Sequence, residues 1–339
     1  MRHLSGHEAA LSVILPFRDA GATLDAALSG LLADADPARE VIAIDDGSTD
    51  SGPACVRSWA ARDPRVKLLE GGGRGLVAAL NLGLDRATGS LIARMDADDI
   101  AHPERLRRQR DYLCAQPAIA VLGCQVRAFC DEGPLGEGLV RYVDWQNGLL
   151  TPTEHALARF IESPLCHPSI VVRRTVLASV GGDRDLDGPE DYELFLRCIA
   201  QGHALAKLPA VLLHWRHRSG RATFSDGRYA LSKFRAVKAP YLAAEVEGRA
   251  IALWGAGPTG RRLAREIARH GITPSLFIDI DPRKVGRTAQ GAPIVGVEAL
   301  DPAHHTVIAA VGARGARALI RSELERRGFR EGDTAWFAS

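Results

Sequence analysis

The chain has 339 residues, 46% hydrophobic and 25% charged, with a formal net charge of +2. That length fits two domains and that composition a soluble globular fold. The near-neutral charge excludes a strong electrostatic case for nucleic-acid binding. Basic residues are unevenly spread: residues 248–339 hold 14 basic and 9 acidic side chains, a balance of +5, against −3 for the rest. This shift predicts a boundary near residue 248. The six cysteines include no Cys-x-x-Cys pair and none lies past Cys198, which argues against a zinc site or a disulfide scaffold and suits a reducing cytoplasm. No apolar run approaches the roughly 18 residues of a membrane span, and no apolar signal core opens the chain. A cytoplasmic protein without a transmembrane segment is expected, with peripheral contact at the inner face of the membrane left open.

In chain order, Leu11–Leu15 is an apolar run ending at Pro16, a predicted buried strand, and Leu24, Ala27, Leu28, Leu31 and Leu32 fall at helical spacing. A second strand is predicted at Glu40–Ile44, running into Asp45-Asp46-Gly47-Ser48-Thr49-Asp50, and Pro53 suits the start of the next helix. A third strand, Val66–Leu69, leads through Gly71-Gly72-Gly73 to a helix carrying Leu76, Leu80 and Leu84, closed by Gly89. The strand Leu91–Met95 follows, then a helix from Pro103. Strands alternating with amphipathic helices imply a mostly parallel sheet covered on both faces, in which ligands bind at the carboxyl ends of strands.

Further on, Ile119–Cys130 reads as strand, Gly133–Gly138 as a hairpin loop, residues 153–161 as helix and Ser169–Val172 as strand. A helix is predicted from Glu190 to Gln201 and a strand from Leu208 to Trp215, ending in a basic stretch, Arg216–Arg221. Residues 226–247 read as a connecting helix broken at Pro240. The expected domains are therefore 1–225, a linker over 226–247, and 248–339.

The stretch Ser90–Ile100 concentrates the chemistry, because a short apolar run ends in Asp96, Asp98 and Asp99. Alternate side chains of a strand share a face, so Asp96 and Asp98 are expected to point the same way, about 7 Å apart. Paired carboxylates suit a hard divalent cation shared with substrate phosphates; the competing interpretation is a solvated acidic turn before the next helix. Polar clusters after Leu15, Ile44 and Met95 all fall at predicted carboxyl ends, which favours a site.

Residues 11–224 resemble a family 2 glycosyltransferase with the GT-A type nucleotide-sugar fold. The matching pieces are Val13-Ile14-Leu15-Pro16-Phe17, Asp45-Asp46-Gly47-Ser48, Gly75 through Asn81, Ala93-Arg94-Met95-Asp96-Ala97-Asp98-Asp99 with Pro103-Glu104-Arg105-Leu106, and Glu190-Asp191-Tyr192-Glu193-Leu194. The resemblance implies an α/β GT-A domain followed by a smaller Rossmann-like domain, and an inverting transfer from a nucleotide-diphosphate sugar, UDP-linked by preference. The acceptor would be a saccharide or lipid-linked saccharide hydroxyl in the synthesis of a bacterial surface polysaccharide or glycoconjugate. It assigns Pro16, Phe17 and Asp46 to the nucleotide base, Phe17 by stacking, and adds Arg74, Asp96, His167 and Arg216 to donor binding. Asp98, with Asp96, would hold Mn²⁺ or Mg²⁺. Asp191 would be the base that takes the acceptor proton, supported by Glu190, and the dipole of its helix would keep the carboxylate ionised. Asp45 and Asp99 are expected to serve a turn and a helix cap, and Arg94 either to pair with the acids or to reach a phosphate. Arg216, Arg218 and Arg221 stand either as phosphate ligands or as a solvated basic loop. Trp215-Arg216-His217 departs from the family's pattern and leaves open whether His217 ligates the metal.

Past Arg249 a strand, Ile251–Trp254, runs into Gly255-Ala256-Gly257-Pro258-Thr259-Gly260 and a helix, Arg261–His270. Strands are predicted at Pro274–Phe277 and Thr306–Val311, and a helix at Arg314–Arg327. Gly255, Gly257 and Gly260 fit the dinucleotide fingerprint in its strand–turn–helix context, and Asp279 falls where a ribose-binding acid is expected. This unit resembles Rossmann-like modules of sugar-modifying proteins; nucleotide or dinucleotide binding and a pure docking role both stay open. Two alternatives to glycosyl transfer are a metal-dependent nucleotidyltransferase, which would release pyrophosphate, and a non-enzymatic nucleotide-sugar-binding scaffold.

Overall fold

Fourteen strands and eleven α-helices are named among the residues that a computed structural model of the chain describes, 9–33, 40–218 and 226–339. The chain divides into two compact units, Met1–His155 with Pro164–Asp226 and Ala156–Ser163 with Gly227–Ser339.

The first unit is built on an eight-stranded sheet, ordered β3-β2-β1-β4-β7-β6-β8-β5. Its strands are β1 (Leu11–Phe17), β2 (Glu40–Asp45), β3 (Val66–Glu70), β4 (Leu91–Arg94), β5 (Ile100–Ala101), β6 (Ile119–Cys130), β7 (Val171–Arg173) and β8 (Ala204–His217). All seven residues of β1 are buried, as expected for a strand covered on both faces. The first four strands run parallel, β7 runs antiparallel to β4 and β6, and β8 is parallel to β6. Strand alternation sends Leu11, Val13, Leu15, Val41, Ala43 and Leu91 to one core, with the helices α1 (Leu24–Leu32), α2 (Gly52–Arg62) and α4 (Arg105–Ala115). It sends Ile14, Ile42, Ile44 and Ile92 to the other, with α3 (Leu76–Arg86), α7 (Arg174–Val180) and α8 (Glu190–Ala200). Because β2 and β4 flank β1 on opposite sides, their carboxyl ends meet at a topological switch point, where such sheets bind ligands.

In this unit two expectations change, and one strand went unpredicted. No hairpin follows β6: the chain turns at residues 131–136 into α5 (Glu137–Asn147), and β6 is paired with β7 and β8 instead. Strand β4 stops at Arg94, so Asp96 and Asp98 lie in the turn beyond it and owe nothing to strand alternation. The two-residue strand β5 is too short for periodicity to reveal; β8 recruits it as an antiparallel partner.

In the second unit, α6 (Pro152–Ala158) leads into the segment 156–163, which packs beside α9 (Leu231–Glu245) and a six-stranded sheet. That sheet is ordered β11-β12-β10-β9-β13-β14, comprising β9 (Ala250–Trp254), β10 (Leu276–Ile278), β11 (Thr288–Ala289), β12 (Ala292–Val295), β13 (His305–Ala309) and β14 (Ala335–Phe337), with α10 (Pro258–Ala268) and α11 (Ala316–Arg326). Pro240 does not break α9: one helix runs through it, since tertiary packing outweighs a single missing N–H. Buried Lys238 donates to the carbonyls of Phe160 (2.6 Å) and Ala338 (2.9 Å), and Phe160 meets Trp336 edge-on at 5.7 Å. These contacts bind a segment from the middle of the sequence to its last strand.

Under the amino ends of β1 and β2, buried Glu40 accepts hydrogen bonds from Ser12 Oγ (2.6 Å), Thr88 N–H (2.8 Å), Thr88 Oγ1 (2.7 Å) and Lys67 Nζ (2.5 Å). Burial raises its carboxyl, but these donors outweigh burial and bring it down to about 2. A depressed acid stabilises the fold above its unfolded pKa and loses that effect as pH falls towards the folded value. Glu40→Gln is therefore expected to cost about 2–3 kcal/mol at pH 7. Denaturant unfolding should show the deficit shrinking below about pH 4.5 and nearly closed by about pH 2; a deficit independent of pH would refute the assignment.

Candidate active site

The loops after β1 and β2 are tied to each other, and the loop after β2 is tied also to the glycine loop after β3. Asp19, after β1, accepts from Thr49 N–H at 2.8 Å, Ser48 Oγ accepts from Asp19 N–H at 3.0 Å, and Asp50 accepts from Gly21 N–H at 2.6 Å. Asp45 serves its own turn, accepting from Ser48 N–H at 2.8 Å. Asp46 is buried, and both its oxygens accept from Gly75 N–H, at 3.1 and 3.0 Å, while its own N–H donates to the Phe17 carbonyl at 2.9 Å. It does not cap the helix after it; it fixes the glycine loop ahead of α3. The ring of Phe17 lies in the core at 4% exposure, so the expected stacking on a base is withdrawn; the backbone of Pro16 and Phe17 is what lies at the strand end. Arg74 is exposed and its Nε donates to the Gly71 carbonyl at 3.1 Å.

Beyond β4, one carboxylate oxygen from each of Asp96, Asp98 and Asp99 falls within 4.8 Å of the others. Each acid is held by an arginine. Arg94 Nη1 lies 2.7 Å from Asp96 Oδ1, and Arg218 Nε lies 3.6 Å from Asp98 Oδ2. The Arg216 N–H donates to Asp99 Oδ1 at 2.8 Å. Asp99 is fully buried and holds β8 against the turn, not the cap of α4. Arg216 braces the same turn: its Nε donates to the Asp98 carbonyl at 2.7 Å, its Nη1 pairs with Asp131, and its guanidinium lies 4.6 Å over Phe129. His217 is buried with its ring 4.2 Å from that of Trp215 and does not belong to the Asp96–Asp99 group. Arg221 lies outside the described residues.

Arg94 is the shared counter-charge. It is 5% exposed; burial lowers its pKa, and Asp96, with Asp183 and Glu190 adding to it, outweighs burial and raises it. Around it stand Asp183 and, from the start of α8, Glu190 and Asp191. Burial pushes the Asp183 carboxyl up to about 6 against the pull of Arg94. Asp191, whose Oδ1 accepts from Tyr192 N–H at 2.7 Å, is pushed well above the carboxylate range by burial and by the charge of Glu190. Burial and the neighbouring acids thus work against the helix dipole that is expected to keep it ionised. His167 is buried against Phe195, ring centroids 6.2 Å apart. Burial and Arg94 drive its pKa down to about 3, so the imidazole is neutral. Arg94, His167 and Asp183 line a small cavity of about 30 Å³, room for a water.

Asp183 is the site residue that sequence reasoning missed. Its signal was indirect: Asn81, already part of a quoted motif, donates to the Asp183 carbonyl at 2.8 Å and accepts its N–H at 3.0 Å. Arg105, from another motif, is fully buried and donates to the Arg94 carbonyl at 2.8 Å. Gln109, which accepts from Arg105 Nε at 3.1 Å, donates in turn to the carbonyls of Leu122 and Ser169, both at 2.9 Å. The fingerprint glycines 255, 257 and 260 and Asp279 lie in the second unit.

The family model described as Glycosyl transferase family 2 matches residues 12–181, a stretch that takes in Asp46, Asp98 and His167 and stops short of Glu190. The amylovoran biosynthesis glycosyltransferase AmsE of Erwinia amylovora is 35% identical over 180 residues, 53% of this chain and 65% of that protein. This chain therefore spans slightly under two thirds of that relative. An Escherichia coli protein, UDP-Gal:alpha-D-GlcNAc-diphosphoundecaprenol beta-1,3-galactosyltransferase, is 30% identical over 201 residues, 58% of this chain and 70% of that one. Among solved structures, Staphylococcus aureus TarS 1–349 in complex with UDP-GlcNAc aligns over 78% of this chain and 73% of that one, with a TM-score of 0.56 and 18% identity. That likeness concerns the fold, the GT-A type architecture of the first unit. The order of the strands, the loops at their carboxyl ends and the family match agree: the chain belongs to glycosyltransferase family 2.

Proposed function

We propose that this chain transfers a sugar, with inversion, from a nucleoside-diphosphate sugar to a hydroxyl of a saccharide or lipid-linked saccharide acceptor. The observation that carries the proposal is the gathering of carboxylates from two distant segments, the turn after β4 and the start of α8, about the single buried Arg94. In this reading Asp98 and Asp96 hold Mn²⁺ or Mg²⁺, for which their oxygens are suitably hard ligands. A bound divalent cation would offset the charge that develops on the departing nucleoside diphosphate. Asp46, with the backbone of Pro16 and Phe17, holds the base, and Arg74 lies beside it on the glycine loop. Arg216 braces the acid turn, and His167 lines the small cavity beside Arg94. Asp191 takes the proton from the attacking hydroxyl, with Glu190 sustaining its basicity. One base and direct displacement give inversion at the sugar carbon.

UDP-linked donors and a polyprenyl-linked acceptor are favoured by what the E. coli relative is named for, and a role in surface polysaccharide synthesis by the Erwinia relative. No helix of the described residues is long and apolar enough to cross a membrane. Work at the inner membrane surface, with the chain in the cytoplasm, is part of this proposal.

Nucleoside diphosphate released from UDP-sugars with Mn²⁺ and a saccharide acceptor measures the reaction. Asp191→Asn is expected to lower kcat by about 10²–10⁴ with little change in donor KM. Asp98→Ala should abolish the metal-dependent part of donor binding. Wild-type rates in both variants would reject the mechanism, and release of pyrophosphate would point to nucleotidyl transfer. Since only the ionised Asp191 can act as base, and its pKa is raised, the rate should fall as pH drops through neutrality, not only below the usual carboxylate range. The same elevation destabilises the fold progressively as pH rises from the unfolded carboxyl value, about 3.9, to the raised folded one, and in full above it. Asp191→Asn should therefore melt higher than wild type at about pH 8.5, and the gain should vanish in acid, where the carboxyl is protonated folded or unfolded; equal melting at both pH values would contradict the elevation.

A further inference from the structure

Glycosyl transfer in the first unit leaves the glycine turn of the second without a role. There β9 ends in Gly255-Ala256-Gly257-Pro258-Thr259-Gly260, the start of α10. The fold itself explains two of the three glycines. Gly255 has φ +121°, and a Cβ on Gly260 would sit 1.9 Å from the Gly255 carbonyl oxygen. Gly257 is different: its φ of −83° suits any residue, and a Cβ there would meet nothing within 4 Å. The backbone does not demand glycine at 257. A side chain there would extend into a cavity of about 740 Å³ that Gly257 lines, within the size range of small-molecule sites.

The cavity lies at the carboxyl ends of β9 and β13. Since β10 and β13 flank β9 on opposite sides, this is again a switch point. One wall is the first turn of α10, whose N–H groups have no acceptor within the helix and carry its positive end. Thr259 and Lys284 also line the cavity. Ile280 and Leu319, 81% and 75% exposed and the two most exposed large apolar side chains among the described residues, line it too, with Val311 and the charged Glu323 and Arg326. An anion seat at a helix start and exposed apolar side chains in one cavity suit a phosphate joined to a base.

Asp279 does not stand ready for a ribose. Its Oδ2 accepts from Ala256 N–H at 3.1 Å and from Lys284 Nζ at 2.8 Å, and its Oδ1 from Asp281 N–H at 3.0 Å. The carboxylate locks the glycine turn to the strand end, and it also lines the cavity. We infer that the second unit binds a nucleotide by its phosphate and base, with Gly257 providing the clearance for the phosphate and Ile280 and Leu319 the slot for the ring, as a bound ligand and not as a hydride carrier. This inference is independent of glycosyl transfer in the first unit.

The test uses the full chain carrying Asp98→Ala, in EDTA, so that metal-dependent donor binding is removed. Calorimetric titration with ADP, UDP and inorganic phosphate is expected to give one site per chain for at least one nucleotide, and much weaker binding of phosphate alone. Adding Gly257→Val should weaken that binding at least tenfold while leaving the melting temperature of the free protein unchanged. Leu319→Asp, at an exposed position, should weaken it as well without touching the turn. Absence of nucleotide binding at millimolar concentration, phosphate binding as tight as nucleotide, or undiminished binding in both variants would overturn the inference.

Discussion

A guanidinium buried at the end of β4 organises the first unit. Taking an unpaired arginine out of water costs several kcal/mol, so Arg94 has to be surrounded by acids, and Asp96 lies 2.7 Å away. The acids depend on it in turn. Asp183 and Asp191 are both raised against the pull of Arg94; without that cation they would be raised further. Charge balance at this point draws together the turn after β4, the loop after α7 and the start of α8, three segments that share no local sequence signal. Acids held in this way, with perturbed protonation, are a recurrent feature of functional sites.

Much of the surrounding sequence keeps that cluster in place instead of touching a ligand. Arg105 fixes the carbonyl of Arg94, Asn81 brackets Asp183, and Arg216 grips both Asp98 and Asp99 through their backbone and side chain. Buried Arg197 holds the loop before Asp183, donating to the Gly182 carbonyl at 3.0 Å and pairing with Glu193 at 2.8 Å. These are long or forked side chains whose donors converge on backbone carbonyls, a rigid support for catalytic groups. This accounts for arginines in recognisable motifs that would otherwise look like phosphate ligands.

The second unit repeats the switch-point geometry with opposite chemistry. The first site is a concentration of carboxylates; the second pairs a helix start and a lysine with apolar walls. Of the two acids in its lining, Asp279 and Glu323, the first holds the turn itself. The segment 156–163, anchored by Lys238 and Trp336, belongs to this unit although most of the first unit's sheet precedes it in sequence and β7 and β8 follow it.

The amino-acid sequence by itself determined the fold class, the two glycine turns and the acids at the strand ends, because alternating apolar runs, helical spacing and short turn motifs are local properties of the chain. It also marked Asp46, Asp98 and Asp191, since each follows a recognisable local signal. What the tertiary structure alone decided was the allocation of partners. Whether Asp99 caps a helix or holds β8, whether Asp46 caps a helix or holds the glycine loop, and whether Phe17 stacks on a base or fills the core depend on residues tens of positions away. Burial and charge neutralisation act through space, so two acids with the same local sequence context acquire different roles once folding sets which cation each must share.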